Sequence, residues 1–310
     1  MKKTEGLIAA TFSSFHEDGT LNLDIIPTVV SGLIKDGLAG IFICGTNGEG
    51  PNLTIEERMA VAEAYVGVAK GKLKIMIHVG HASIEEARKL AKHAASIGAD
   101  AISSVAAFYF KPQSVTNLVD SIGAIAQAAP NIPFYYYHIP SLTGVGIDMI
   151  DFLTLAEVNI PNLAGIKYTA STIHEYQACL NYKGGKFDVL YGYDELLLPA
   201  LAVGAKGAVG STYNFAAPLY LRVMELFEEC KLHDAQRVQL GLVEMIREMT
   251  KFSPIPAQKA IMEMMGISLG PTRLPLVPLE TLDKEVLKTR LEKIGFFDAL
   301  KQVEPVNKEV

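Results

Sequence analysis

The chain has 310 residues, of which 49% are hydrophobic and 20% are charged. This composition is typical of a globular protein with a large buried core, and it argues against a disordered chain. The formal net charge is −6, and no run of basic residues stands out. We therefore expect neither nucleic acid nor an acidic membrane surface as a partner.

The three cysteines, Cys44, Cys179 and Cys230, are widely spaced and include no CxxC pair. An odd number of scattered cysteines favours reduced thiols. The apolar stretch near the start of the chain is too short for a secretory signal, and no later segment approaches the roughly 20 apolar residues that a membrane span needs. The sequence therefore predicts a cytoplasmic protein.

Eight short apolar segments predict β-strands, and stretches with helical periodicity lie between them. The predicted strands cover about residues 6–13, 40–46, 74–80, 100–107, 133–139, 163–169, 187–192 and 207–212. Strands and helices that alternate in this way predict a parallel sheet, either closed into a (βα)₈ TIM barrel or open and doubly wound.

The helical stretches near the end of the chain exceed what a barrel of roughly 250 residues requires. We predict a barrel core over residues 1–218. Residues 219–310 are then expected to supply the last barrel helix and a C-terminal helical extension that packs on the barrel as one structural unit. Pro254 and Pro256 interrupt the helical pattern of this region, and a single final helix is predicted over residues 283–303.

A lysine interrupts the sixth apolar segment. On a strand, Lys167 shares a face with Gly165 and Thr169, while the apolar neighbours of the lysine face the other way. Burial disfavours the ammonium form, which leaves a free amine able to attack a carbonyl and form a Schiff base. Taken alone, the pattern also fits a strand-end lysine whose head reaches water.

The second predicted strand ends in residues 45–50, GTNGEG. Small residues let backbone amides approach a ligand, and Thr46 and Asn47 add side-chain donors, so the segment is suited to binding a carboxylate. Ordinary turn chemistry explains a glycine-rich segment equally well. The spacing matches neither a dinucleotide motif nor a P-loop, so we expect no nucleotide.

The fifth strand contains three consecutive tyrosines. Tyr135 and Tyr136 are interpreted as bulky strand formers. Tyr137 lies near the strand end and is expected to face the same pocket as Lys167, where a phenol can carry a proton to and from a reacting carbonyl group.

Two carboxylates, Asp194 and Glu195, follow the seventh strand. They repel a phosphate but readily accept hydrogen bonds from sugar hydroxyls, so an unphosphorylated polyhydroxy substrate is favoured. A metal site is not expected, because His78 and His81 point to opposite faces of a strand and the sequence contains no HExxH motif or clustered Cys/His ligand set.

Several of these segments occur together in a fixed order: GTNGE (45–49), YYYHIPSLTG (135–144), GIKYT (165–169), GYDE (192–195) and GSTYN (210–214). As a set they resemble the N-acetylneuraminate lyase and dihydrodipicolinate synthase family of pyruvate-dependent class I aldolases. The resemblance implies a (βα)₈ barrel with a C-terminal helical extension, with Lys167 as the Schiff-base lysine and Tyr137 as the proton carrier. It also implies a homotetramer and no cofactor or metal ion.

Within the family, the GYDE and GSTYN segments are similar to the branch that cleaves sialic acid to N-acetylmannosamine and pyruvate. In that branch the substrate contacts correspond to Thr46, Asn47, Thr169, Gly192, Asp194, Glu195 and Ser211. Asn47 departs from the usual family threonine and removes a hydroxyl that synthases use to relay protons. Leu142 stands where synthases place an arginine, and leucine cannot hold the carboxylate of aspartate semialdehyde.

Two alternative functions stay open from the sequence. The first is dihydrodipicolinate synthase or another pyruvate-dependent aldolase or dehydratase of the same family, acting on a different 2-keto acid. The second is a barrel without catalytic activity that binds a sugar acid.

Overall fold

The computed structural model describes residues 3–303. Within this range eight parallel strands, β1 to β8, pair in chain order and close into a barrel, because β8 also pairs with β1. They are Gly6–Ala10, Gly40–Ile43, Lys74–His78, Ala101–Val105, Phe134–His138, Leu163–Tyr168, Asp188–Tyr191 and Gly207–Gly210. The predicted (βα)₈ barrel is confirmed. Each strand ends a little before its predicted boundary.

Helices occupy the connections between the strands and the region after β8. In chain order, α1 to α13 are Ile26–Lys35, Ile55–Ala69, Ile84–Ile97, Val115–Ala126, Pro140–Thr143, Met149–Asn159, Ile173–Asn181, Leu197–Ala202, Tyr213–Glu228, Leu232–Met249, Pro254–Met264, Thr281–Lys293 and Phe296–Gln302. None of the helices within residues 3–303 combines the length and the apolar character needed to cross a lipid bilayer.

Local sequence signals explain where the barrel helices begin. Thr54 and Glu57 form a reciprocal capping box at the start of α2. The Ser83 side chain accepts a hydrogen bond from the backbone N–H of Glu86 at the start of α3, and Gly98 ends that helix in the left-handed conformation. These caps satisfy backbone groups that a helix leaves unpaired at its ends.

The helical region differs from the prediction at its end. Helix α9 (Tyr213–Glu228) runs across residue 218. The single final helix predicted over residues 283–303 is wrong, since α12 and α13 are separate helices. The chain turns between them at Gly295, which adopts a left-handed conformation with φ of 73°. The division into residues 1–218 and 219–310 as parts of one unit stays a prediction.

Alternation along each strand separates two cores. Outward-facing side chains pack against the helices, and a second apolar cluster fills the inside of the barrel. Tyr135 and Tyr137 belong to the inner cluster, whereas Tyr136 belongs to the outer core. The alternation predicted for the fifth strand therefore places the Tyr137 side chain inside the barrel.

A polar cluster closes the amino-terminal end of the barrel. The buried Asp188 carboxylate accepts hydrogen bonds from the Thr4 N–H (3.0 Å), the Thr4 hydroxyl (2.7 Å) and the Tyr135 hydroxyl (2.9 Å). The Lys74 amine donates to the Thr4 hydroxyl at 2.5 Å. This end is opposite the one where parallel barrels carry their active sites, so the cluster is a stabilising feature.

We expect Asp188→Ala to lower the free energy of unfolding by about 3 kcal/mol, because buried donors lose their charged acceptor. Chemical denaturation measures this change. Asp24→Ala is the control, since Asp24 is exposed, and it should change the stability by less than about 0.5 kcal/mol. Equal denaturation midpoints for the two variants would contradict the assignment.

Candidate active site

A cleft of about 250 Å³ opens at the carboxyl ends of the strands, between the barrel and helices α10 and α11. Every site residue predicted from the sequence lines it. These residues are Thr46, Asn47, Tyr137, Lys167, Thr169, Gly192, Asp194, Glu195 and Ser211. They come from five separate segments of the chain, so the fold gathers the predicted set into one place. Their individual roles stay predictions.

Lys167 lies at the floor of this cleft on β6. Its side chain faces the barrel interior, its residue is only 3% exposed, and its Nζ atom lies 4.0 Å from the ring centroids of both Phe42 and Tyr137. Burial lowers the pKa of the amine to about 7, against the opposing negative charge of Asp194. A substantial fraction of the amine is therefore uncharged and nucleophilic near neutral pH.

Asp194 lies in the turn after β7 and is buried. Its Oδ2 atom accepts hydrogen bonds from the Thr212 backbone N–H (2.8 Å) and the Thr212 hydroxyl (2.6 Å). Gly210 makes room for this carboxylate, since a Cβ atom at residue 210 would lie 1.8 Å from Oδ1. Burial raises the pKa of Asp194 to about 6, although the bonds from Thr212 oppose the rise. The carboxylate is thus mostly ionised at neutral pH and can accept hydrogen bonds from a ligand.

Tyr137 presents its ring to the same amine. The Phe42 ring meets it edge to face at a centroid distance of 5.6 Å, and the His78 ring does so at 5.9 Å. Burial raises the pKa of the phenol to about 12, and the neighbouring hydroxyl side chains of Thr46 and Thr169 offset part of that rise. Tyr137 is therefore a protonated phenol that can donate and accept a hydrogen bond at once.

Thr169 follows β6 on the face that also carries Lys167. Its buried hydroxyl oxygen has no hydrogen-bond partner within the part of the chain that the structure describes. A Cβ atom at residue 192 would lie 1.9 Å from this oxygen, so Gly192 is required by the close approach of the two segments. The hydroxyl is available to a ligand in the cleft.

The loop at residues 45–50 brings Thr46 and Asn47 to the cleft. A buried ion pair anchors it, with the Lys259 amine of α11 at 2.9 Å from the Glu49 carboxylate. The backbone N–H of Arg273 donates to the same carboxylate at 3.0 Å. The C-terminal region therefore fixes the segment that the sequence predicts to bind a carboxylate.

His78 is a buried neighbour that the sequence analysis considered only as a metal ligand. Its Nε2 atom accepts from the Val105 N–H at 3.4 Å, and its Nδ1 atom lies 3.2 Å from the Cys44 carbonyl oxygen. Burial and the charge of Arg58 hold the pKa of His78 well below its usual range. This neutral imidazole supports the Tyr137 ring, and strand alternation on β3 was the signal that could have placed it there. Among residues 3–303, no group of three or more His, Cys, Asp or Glu side chains is arranged to hold a metal ion.

The helical wall of the cleft was not predicted from the sequence. Ile246 and Met249 lie on α10, Thr250 caps the end of that helix, and Pro254 and Gln258 lie on α11. Their spacings of three or four residues put each group on one face of its helix. No local signal in the sequence relates either face to the barrel, because this packing joins residues far apart along the chain.

Helix α10 also holds the acidic turn in place. The Gln239 amide group donates to the carbonyl oxygens of Asp194 (3.4 Å) and Glu195 (3.1 Å), and it accepts from the N–H of Leu198 (3.2 Å). The Asp194–Leu196 segment forms a short 3₁₀ turn under this anchor. The extension thus contributes to the geometry of the site as well as to its wall.

The fold and the cleft together define a class of protein, the (βα)₈ barrels that carry a buried amine nucleophile at a strand end. Comparison with known families makes this specific: the model of the Dihydrodipicolinate synthetase family matches residues 3–294. The chain belongs to this family.

Similar proteins cover nearly the whole chain. N-acetylneuraminate lyase A of Xenopus laevis is 41% identical over 94% of this chain and 97% of its own length. The native N-acetylneuraminate lyase structure from Aliivibrio salmonicida is 41% identical, covers 96% of this chain and 98% of its own, and superposes with a TM-score of 0.93. A catalytic lysine mutant of Ruminococcus gnavus sialic acid aldolase is 29% identical, with coverages of 97% and 98% and a TM-score of 0.91.

The amine of Lys167 should titrate near pH 7, far below the value of about 10.4 typical of exposed lysines. The Cε resonance of ¹³C-labelled lysine measures this, with the signal assigned by its loss in Lys167→Met. Asp194→Asn should move the midpoint to lower pH, because the Asp194 charge raises the lysine pKa. A midpoint that coincides with those of the other lysines, or that rises in Asp194→Asn, would contradict the electrostatic description.

Proposed function

We propose that this chain is a class I aldolase that cleaves N-acetylneuraminate reversibly to N-acetylmannosamine and pyruvate. The observation that carries the proposal is the buried Lys167 amine, held between two aromatic rings within a cleft rich in hydroxyl and carboxylate groups. About 40% identity to proteins named N-acetylneuraminate lyase, over nearly the full chain, supports the choice of substrate.

In the first step Thr46 and Asn47, with nearby backbone amides, bind the carboxylate of the open-chain substrate. The uncharged Lys167 nitrogen attacks the adjacent ketone carbon, C2, and loss of one water molecule with uptake of one proton from solvent leaves a protonated imine. The positive nitrogen is then the electron acceptor for bond cleavage. The lowered pKa of the amine favours this attack at neutral pH.

In the second step the C3–C4 bond breaks, and its electron pair moves into the imine to form an enamine. The C4 hydroxyl loses its proton and becomes the aldehyde of N-acetylmannosamine. Since Tyr137 is itself protonated, it relays this proton, accepting at its oxygen while passing its own hydrogen to the substrate carboxylate. Protonation of the enamine at C3 and hydrolysis of the imine release pyruvate and restore Lys167.

The sugar chain extends toward the acidic turn. Asp194 and Glu195 accept hydrogen bonds from its hydroxyls, and the free Thr169 hydroxyl and Ser211 add further contacts. Gly192 allows the turn after β7 to approach Thr169 closely. Two carboxylates at this position disfavour a phosphorylated substrate, which agrees with an unphosphorylated polyhydroxy chain.

The proposal is tested by comparing three reactions in parallel: N-acetylneuraminate cleavage, condensation of aspartate semialdehyde with pyruvate, and 2-keto-3-deoxygluconate cleavage. We expect the highest kcat/KM for N-acetylneuraminate. Lys167→Met should lower that activity by more than about 10³-fold, because it removes the nucleophile. The exposed Lys206 supplies the control variant Lys206→Met, which should retain activity. A preference for either other reaction would assign a sister activity of the family.

We further propose a cytoplasmic homotetramer. The aromatic residues Tyr109 and Phe110, in the loop after β4, are 77% and 86% exposed and pack edge to face on each other at 5.0 Å. Exposed neighbouring aromatics are typical of a protein interface. The free, buried thiols of Cys44 and Cys179 support a reducing compartment.

Light scattering should give a mass of about four times the 33.6 kDa of the chain. Replacing Tyr109 and Phe110 together with serine should lower the observed mass, since the association would lose its aromatic contacts. Leu274→Ser is the control, because Leu274 is also highly exposed but lies elsewhere. A monomeric mass for the unaltered protein would refute the assembly.

A further inference from the structure

One polar side chain in the helical wall of the cleft has a hydrogen-bonding group that the protein does not use. Gln258 of α11 lines the cleft and is only 3% exposed. Its Oε1 atom is buried and has no hydrogen-bond partner within residues 3–303. Burying an amide oxygen without a donor costs stability, and buried polar groups in folded proteins are nearly always paired. Because Gln258 lines a ligand cleft, its orphaned oxygen indicates a donor supplied by the ligand.

The residues around Gln258 indicate which kind of ligand group donates the hydrogen bond to its oxygen. Ile246 and Met249 make the neighbouring wall on α10 apolar. Asp194 and Glu195 belong to the other part of the cleft lining, the turn after β7. The carboxylates of the acidic turn accept hydrogen bonds and attract cations. The Gln258 amide carries no charge and therefore suits an uncharged donor. The wall thus fits an uncharged N–H or O–H group with apolar atoms beside it.

Gln258 belongs to a different part of the fold from the residues of the proposed chemistry. Lys167 and Tyr137 come from the barrel strands β6 and β5, while Gln258 comes from helix α11 of the extension. The proposed mechanism binds pyruvate, the three-carbon part of the substrate, to Lys167 and to the loop at residues 45–50. A contact on the helical wall is then assigned to the part of the substrate beyond the bond that breaks.

We propose that Gln258 is a specificity-determining residue that accepts a hydrogen bond from an N–H or O–H group of the substrate beyond C4. This inference rests on the proposed function. The group is either the acetamido N–H at C5 or a hydroxyl of the sugar chain, and the two share the same donor chemistry. The residue contributes to the choice of substrate and takes no part in the chemistry at Lys167.

The test uses Gln258→Met, which keeps the side-chain length and removes the amide. The kcat/KM for N-acetylneuraminate should fall about tenfold, as expected for the loss of one neutral hydrogen bond to a substrate. Trapping of pyruvate on Lys167 by borohydride should proceed at the wild-type rate, because pyruvate lacks the atoms beyond C4 that the proposed contact uses. Gln236→Met, on the exposed face of α10, is the matched control and should behave as wild type in both assays.

The analogue with hydrogen in place of the acetamido group has no donor at C5 and therefore distinguishes the two donors. If Gln258→Met lowers kcat/KM for N-acetylneuraminate but not for this analogue, the donor is the acetamido N–H; an equal loss for both substrates assigns a chain hydroxyl. Either result supports the inference. An unchanged kcat/KM for N-acetylneuraminate, or a parallel loss of pyruvate trapping, overturns it.

Thermal unfolding without ligand gives an independent readout. Because the amide oxygen is unpaired, Gln258→Met should unfold at the wild-type temperature or above it. A glutamine that served the fold would instead lower the unfolding temperature when replaced, and that result also overturns the inference. Failure of the wild-type protein to cleave N-acetylneuraminate would count against the proposed function, and it is recognised without any Gln258 variant.

Discussion

Burial of one amine against two aromatic rings is the constraint on which the site depends. The faces of Phe42 and Tyr137 attract a cation, and the charge of Asp194 does so at longer range, yet removal from water dominates and lowers the pKa of Lys167 to about 7. The balance between burial and these attractions matters for function, because it sets the pKa of the amine. An amine with a much higher pKa would stay protonated and inert, whereas an amine with a much lower pKa would form an imine that is hard to keep protonated.

The C-terminal helices complete a site whose reactive groups all come from the barrel. Lys259 and Arg273 anchor the loop at residues 45–50 through Glu49, and Gln239 anchors the acidic turn after β7. Helices α10 and α11 then close one side of the cleft. The barrel thus supplies the chemistry, and the extension supplies both its rigidity and its outer wall. Loops that carry functional groups need such support, because catalytic geometry tolerates little displacement.

Short-range periodicity was enough to predict the eight strands and to place Lys167 and Tyr137 on them. The choice of a closed barrel over an open sheet, and the inclusion of Thr169, Gly192 and Ser211 among the cleft residues, came from the resemblance to the family. Alternation fixes which side of β5 carries Tyr137 and which side of β6 carries Lys167, and a parallel barrel brings all strand ends to one place. The helical wall with Gln258 could not be predicted, since helical periodicity defines a face without showing what it packs against. The same alternation along β3 places the His78 side chain inside the barrel, although the sequence pattern was interpreted only in terms of a metal ligand. The chain turns at Gly295 because this residue adopts a left-handed conformation. A single glycine in a sequence is only a weak indication of such a turn.

The most direct test of the central claim is reduction with borohydride in the presence of pyruvate, followed by mass-spectrometric mapping of the modified peptide. A neutral, nucleophilic Lys167 predicts one stable adduct, located on Lys167, whose yield rises with pH through about 7 as the amine loses its proton. The Lys167→Met protein should give no adduct. An adduct on another lysine, or carbon–carbon cleavage that proceeds without any adduct, would contradict the account.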